Sequence, residues 1–196
     1  MYGWTGNLLW VNLTKRKIVT QRFGHDLAKS FLGGRGFAIK ILWDNLNSGV
    51  NPFSPDNLVV FAAGPLTGFS LPSSGKVVVA TKSPLTGGYG DGNLGTRLTV
   101  QMRKAGYDGI VIRGKASKPT VLFIQDDQTE FIDGKDFWGK GTIKTERELK
   151  EEYSKNVGVV SIGQAGENRS YSHILKTYYY SFTRRARMSL PKSVIR

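Results

Sequence analysis

The chain has 196 residues, enough for one domain with its own core, and its 39% hydrophobic and 11% aromatic residues exclude a disordered polypeptide. The absence of cysteine excludes disulfides, thiolate metal sites and iron–sulfur ligation within this sequence. The net charge of +13 is uneven, because residues 1–168 hold 21 Lys or Arg against 15 Asp or Glu, whereas residues 169–196 hold 7 Lys or Arg and no acid.

The first elements are a predicted hairpin and two predicted helices. Residues 8–13 and 18–23 are β-prone runs around a polar turn at 14–17. A helical stretch follows at about 26–32. After the glycines at 33, 34 and 36, the apolar spacing from residue 37 predicts a second helix that ends near 45–47.

An internal repeat comes next. The buried-strand pattern at 57–64 is followed by Pro-Leu-Thr-Gly at 65–68, and a similar strand at 76–83 is followed by Pro-Leu-Thr-Gly at 84–87. Two similar strand–turn units 19 positions apart indicate duplication, and coincidence is the alternative because Pro and Gly end many strands. We therefore expect a pseudo-symmetric sheet that presents two loops on one surface.

The remaining elements are mostly strands. Residues 98–104 predict a short helix that stops at Gly106, and residues 144–153 predict a charged helix. Strands are predicted at 107–112, 120–124 and 157–162, with a further one at 131–132. Strands outnumber helices, so the predicted fold class is α+β and β-rich.

A glycine-rich segment at 87–96 is the candidate ligand site. It holds five glycines in ten residues, which expose backbone groups to a phosphate, a pterin or a metal ion. Lys76 begins the strand before it and offers a cation. A structural turn and a solvated lysine are the alternatives, and neither the Rossmann nor the P-loop pattern is present.

Five motifs resemble one known family, the tungsten-containing aldehyde:ferredoxin oxidoreductases. They are Phe-Leu-Gly-Gly-Arg-Gly at 31–36, Ala-Gly-Pro-Leu-Thr-Gly at 63–68, Thr-Lys-Ser-Pro-Leu-Thr-Gly at 81–87, Lys-Ala-Gly-Tyr-Asp at 104–108 and Ala-Gly-Glu-Asn at 165–168. The resemblance covers residues 1–168, the family's amino-terminal domain. The segment 90–95 looks more like the formaldehyde-oxidising branch.

The resemblance implies two intertwined strand–loop repeats that form a base cradling a tungsten bis-pterin cofactor. By this resemblance Lys76, Asn93 and Gly95 contact the pterin. The main-chain carbonyl of Asn93 helps to hold the Mg²⁺ that joins the pterin phosphates. The implied reaction oxidises an aldehyde to a carboxylic acid and passes electrons through a 4Fe-4S cluster to ferredoxin. The cluster ligands and the catalytic acids belong to later domains of the family, so we predict no catalytic residue and no activity for this chain alone.

Residues 169–196 depart from the family pattern. They contain no glycine and no acid, and a reading-frame shift after residue 168 would explain this divergent basic tail, which we expect to be loosely held.

The cradle surface, which the cofactor and the later domains cover in the family, should be left open in this chain. We expect such an open surface to favour self-association into a homo-oligomer. Neither a signal peptide nor a membrane-spanning run is visible in the sequence, so a cytoplasmic protein without a membrane partner is expected.

Two alternatives stay open. The basic, tyrosine-rich tail also suits a non-catalytic nucleic-acid-binding module, although the folded part is only mildly basic. The chain could instead be a relic fragment without present function. The sequence does not separate such a relic from a subunit that a second polypeptide completes.

Overall fold

The structure is a computed structural model that describes residues 3–69, 71–126 and 128–168 and the backbone of residues 179–183. The described residues form two β-sheets, five α-helices and one short 3-10 helix. No helix within them is long and apolar enough to cross a bilayer.

The first sheet has six strands. They are β1 Asn7–Asn12, β2 Lys17–Arg22, β3 Leu58–Ala63, β4 Lys76–Lys82, β5 Tyr89–Gly95 and β6 Gly109–Arg113. Their order in space is β2-β1-β6-β3-β4-β5, so β2 and β5 are the edge strands of this sheet as described. The neighbours β1 and β6 are parallel, and the other neighbouring pairs are antiparallel.

The second sheet has four strands. They are β7 Thr120–Gln125, β8 Gln128–Asp133, β9 Gly158–Val160 and β10 Tyr179–Thr183, in the order β8-β7-β10-β9. β10 is parallel to β7 and antiparallel to β9.

Helices cover the sheets in layers. They are α1 His25–Phe31, α2 Arg35–Asn45, α3 Arg97–Lys104, α4 Thr142–Glu152 and α5 Gln164–Glu167, with the 3-10 helix at Lys135–Phe137. Side chains alternate across β3: Leu58, Val60 and Ala62 pack with α1 and α2, whereas Phe61 and Ala63 pack with α3 and the second sheet. The central strand β3 is therefore buried on both faces, whereas the edge strand β2 is mostly exposed.

In the second sheet, strand β7 is also covered on both faces, whereas the edge strand β8 is partly exposed. The β7 residues Leu122 and Ile124 join the core shared with α3, and Val121 packs with Leu149 of α4. Gly158 of β9 lies directly against the backbone of Leu98 in α3, where an added Cβ would overlap. A glycine is required at this crossing because helix and strand are in backbone contact.

Most predicted elements are confirmed. The α+β, strand-rich class, the hairpin, both early helices and the paired strands of the repeat are present. Thr96 caps α3 by accepting a hydrogen bond from the backbone N–H of Leu98 at 3.2 Å, and Gly106 follows the helix with a φ of +92°.

Two details of the predicted fold are wrong. β3 and β4 are antiparallel neighbours, with Ala63 opposite Val77, so the Pro-Leu-Thr-Gly turns lie at opposite ends of the pair rather than on one surface. Most of the segment 87–96, interpreted as a loop, is the edge strand β5, since its backbone pairs along β4 in spite of its glycines.

The segment predicted to be a divergent tail contains β10. Within 169–196 the structure describes only residues 179–183, which pair with β7 and β9. The loosely held tail otherwise lies outside the described residues. The boundary at residue 168 and the frame shift stay predictions.

Candidate functional site

The register of β4 and β5 determines which backbone groups of β5 are unused by the sheet. The Ser83 N–H donates to the Gly88 carbonyl at 2.7 Å, and at the other end of the pair the Thr96 N–H donates to the Gly75 carbonyl at 3.3 Å. Hydrogen-bonded and non-hydrogen-bonded positions alternate along an antiparallel pair. Every second pair between these two ends is therefore hydrogen-bonded. The pairs that contain Asn93 and Gly95 fall between them and are non-hydrogen-bonded.

The outer edge of β5 therefore carries backbone N–H and C=O groups that point away from β4. Because β5 is an edge strand within the part of the chain that the structure describes, no strand there covers these groups. Such an edge is either a liability for aggregation or a binding surface. The carbonyl of Asn93, the predicted magnesium contact, is one of these outward groups.

The side chains of β5 alternate between the core and the α2 side of the sheet. Leu94 packs against the core that contains α3. Asn93 lies opposite Val78, which packs with α2. Lys76 lies two residues before Val78 on the same side of β4, opposite Gly95. The three predicted contacts thus lie together at one end of the β4–β5 pair.

A cleft of about 410 Å³ opens on this side of the sheet. Val78 and Ala62 line its base, and the turn at 64–67 and the loop at 71–74 line its sides. Lys76 and Asn93 both line it, together with Gly34 at the start of α2. Lys76 and Asn93 are solvent-exposed, so both can meet a ligand.

The start of α2 is fixed against the end of β3. The Gly34 N–H donates to the Ala63 carbonyl at 2.9 Å. Gly33 has a φ of +141°, and a Cβ there would lie 2.7 Å from the Ala63 oxygen. From the next position, Arg35 Nε donates to Asp91 Oδ2 at 2.5 Å and joins α2 to β5. Gly34 is thus the residue of the motif at 31–36 that lines the cleft, and Arg35 lies beside it.

The turn at 64–67 is supported from below by α3. Arg103 Nε donates to the Thr67 carbonyl at 3.2 Å, and its Nη2 donates to the Gly3 carbonyl at 2.7 Å. Arg103 Nη1 forms an ion pair with Asp108, whose side chain is 1% exposed. Burial lowers the pKa of Arg103. This arginine is a structural residue whose three nitrogens all have protein partners.

Sequence reasoning predicted Lys76, Asn93 and Gly95 as ligand contacts, and the structure brings them together, but it did not predict the contact between Arg35 and Asp91 beside them. Gly95 faces Lys76 across the strand pair without lining the cleft itself. Arg35 and Asp91 were available as part of the glycine motifs, but only the fold shows that they meet. The second Pro-Leu-Thr-Gly turn, at 84–87, lies at the far end of β4 and plays no part in the cleft.

The cleft fits an anionic ligand with a backbone-held cation better than a side-chain metal site. Among residues 3–69, 71–126 and 128–168, no group of three His, Asp or Glu side chains could hold a metal ion. A Cβ at Gly95 would meet no atom within 4 Å, and its backbone is not in the left-handed region. No packing contact in the described structure requires this glycine, and its backbone is open to close approach.

Comparisons with known proteins give consistent matches. The family model described as "Aldehyde ferredoxin oxidoreductase, N-terminal domain" matches residues 8–187. The tungsten-containing aldehyde ferredoxin oxidoreductase of Pyrococcus abyssi is 45% identical over 170 residues, which cover 86% of this chain and 28% of the relative. The aliphatic sulfonate oxidoreductase WOR-like subunit of Pyrococcus furiosus is 36% identical over 185 residues, covering 86% of this chain and 29% of the relative.

A solved structure has the same fold. The active site complex BamBC of benzoyl coenzyme A reductase, in complex with 1,5-dienoyl-CoA, matches with a TM-score of 0.89 and 33% identity. The match covers 92% of this chain and 31% of that chain. The chain thus spans less than a third of each of these proteins.

Proposed function

The chain belongs to the aldehyde ferredoxin oxidoreductase family, and we propose that its cleft binds the tungsten bis-pterin cofactor of an oxidoreductase. One observation carries the proposal: the cleft brings together Lys76 and Asn93, and Asn93 lies on the outward edge of β5. No strand among the described residues pairs with this edge.

The residues of the cleft suit a phosphate-bearing pterin. Lys76 supplies a positive charge for a phosphate group, and charge-assisted hydrogen bonds of this kind are the strong ones. The outward carbonyl of Asn93 is a hard oxygen ligand of the type that Mg²⁺ prefers. When bound, the tungsten centre supplies the two-electron redox chemistry. Gly95 leaves room for a ligand to approach the backbone.

The substrate is a separate question. The relatives are named for aldehydes and for aliphatic sulfonates, and the similar structure for benzoyl coenzyme A. Because one fold serves proteins with such different names, we propose that this domain supplies cofactor binding rather than substrate choice. Oxidation of an aldehyde with ferredoxin as acceptor is our proposal for the domain joined to the rest of a family protein. Assignment to the formaldehyde-oxidising branch stays a prediction.

The proposal can be tested in a chimera. Residues 1–168 would replace the corresponding domain of the Pyrococcus abyssi relative, and tungsten content and pterin fluorescence would be measured per protein. Lys76→Ala should lower cofactor retention under dilution, because it removes a contact worth about 1.5–3 kcal/mol.

Lys82→Ala is the matched control. Lys82 is the last residue of β4, and its Nζ contacts the Ser48 carbonyl far from the cleft. If Lys76→Ala and Lys82→Ala retained the same tungsten and pterin as the parent chimera, the assignment of the cleft would fail.

A further inference from the structure

Two cations flank Asn93 from opposite directions. Gly95, two residues after Asn93, lies opposite Lys76. Asp91, two residues before Asn93, accepts a hydrogen bond from Arg35. Asp91, Asn93 and Gly95 are alternate residues of β5 and so lie on one side of the sheet, the side that carries α2. Asn93 therefore lies between a lysine and an arginine.

Arg35 is arranged differently from a structural arginine. Only its Nε meets a protein acceptor within the described residues, and its side chain is 58% exposed. In Arg103, all three guanidinium nitrogens have protein partners, and 10% of the side chain is exposed. The Asp91 side chain, which orients Arg35, is only 17% exposed. Arg35 is thus held at one nitrogen while its two terminal nitrogens remain available.

We propose that Arg35, which lies beside the cleft next to its lining residue Gly34, is a second anion-binding side chain and that its terminal nitrogens bind a phosphate group of the ligand. A guanidinium fork presents paired donors to phosphate oxygens, whereas the ammonium of Lys76 acts as a point charge. Asp91 is a positioning residue that keeps the fork next to Asn93. The inference rests on the proposed function, which it extends from Lys76 to a two-cation site.

The test uses the full chain and inorganic pyrophosphate with Mg²⁺, titrated by ³¹P NMR. Arg35→Ala should raise the Kd for pyrophosphate about two- to five-fold, the range for an exposed ion contact. Arg35→Gln should weaken binding similarly, since it keeps a hydrogen-bond donor for Asp91 but loses the charge. Lys40→Ala is the matched control, because it removes one positive charge from the same helix. Lys40 is paired with Asp44 at 2.8 Å.

Asp91→Asn separates binding from a merely structural role. If Arg35 binds the anion, Asp91→Asn should strengthen pyrophosphate binding, because it removes a competing negative charge and keeps an acceptor for Nε. If Arg35 only ties α2 to β5, then Arg35→Ala and Asp91→Asn should both weaken binding, and that result would overturn the inference. Equal Kd values for Arg35→Ala and Lys40→Ala would overturn it as well.

Lys76→Ala, titrated in parallel, distinguishes the inference from the proposed function. If only Lys76→Ala weakens pyrophosphate binding, the proposed cleft stands and Arg35 is not one of its anion-binding residues. If only Arg35→Ala weakens pyrophosphate binding, the role of Arg35 stands and the role of Lys76 is refuted. Absence of pyrophosphate binding by the parent chain would refute both.

Discussion

Replacing Asp108 by alanine removes a buried carboxylate that several groups share. Its Oδ2 accepts hydrogen bonds from Thr5 Oγ1 at 2.8 Å and from the Gly6 N–H at 2.7 Å, and its Oδ1 pairs with Arg103. The Asp108 side chain is 1% exposed, and that of Arg103 is 10% exposed. The substitution would leave a buried guanidinium without its counter-charge.

The expected loss of stability follows from these contacts. Removing one partner of a buried ion pair costs about 3–5 kcal/mol, because the remaining charge is poorly solvated. Arg103 would keep its bonds to the carbonyls of Thr67 and Gly3, which places Asp108→Ala near the lower end, at about 3 kcal/mol. Asp133→Ala is the control: its pair with Lys118 is half exposed on both sides, and such surface pairs contribute little.

Urea unfolding followed by circular dichroism would measure both variants against the parent. Hydrogen exchange at residues 64–68 would show whether the turn beside the cleft loosens, since Arg103 holds that turn through Thr67. Equal urea midpoints for Asp108→Ala and Asp133→Ala would refute the reasoning. A large loss of stability with unchanged hydrogen exchange at 64–68 would refute the claim that Arg103 holds this turn.

Three further predictions concern glycines, pH and activity. Gly36→Ala should destabilise the fold by about 2 kcal/mol or more, because its Cβ would overlap the Phe31 carbonyl, whereas Gly95→Ala should stay within about 0.5 kcal/mol in the same urea assay. Burial is the largest cause and the charge of Glu152 the next of a rise in the pKa of Tyr153 to about 12. The stability that the neutral Tyr153 side chain contributes is therefore complete below its ordinary pKa of 10.0 and is lost as pH rises towards 12. Thermal midpoints from pH 9 to 12 should fall less in Tyr153→Phe. The chain alone should show no aldehyde-dependent viologen reduction, and turnover in a pure preparation would contradict this.

The strands that bury both faces were predictable because their sequences leave few alternatives. The apolar runs that became β3, β4 and β7 are long enough for a strand and too short for a buried helix. The hairpin of β1 and β2 was predictable for a similar reason, since a polar turn separates two β-prone runs. The long-range pairing of β1 with β6 was not predictable, because the two strands are about a hundred residues apart in sequence.

β5 was misinterpreted because glycine carries no strand signal of its own. Its segment has the composition of a loop, and the pairing that makes it a strand comes from β4, whose own sequence is strongly β-prone. The error matters for the site. A loop would expose backbone groups in all directions, whereas this edge strand turns outward the backbone groups of alternate residues, Asp91, Asn93 and Gly95, and not those of Leu94.

The glycines show most directly what sequence leaves undecided and structure decides. Gly33, Gly36 and Gly95 all stand in glycine motifs of similar appearance. Gly33 and Gly36 are explained by the protein itself, since a Cβ would meet the Ala63 carbonyl in one case and the Phe31 carbonyl in the other. Gly95 has an ordinary backbone conformation and open space where its Cβ would be. Two of these glycines are accounted for by packing, whereas Gly95 leaves open space opposite Lys76, at the edge where we propose that the ligand binds.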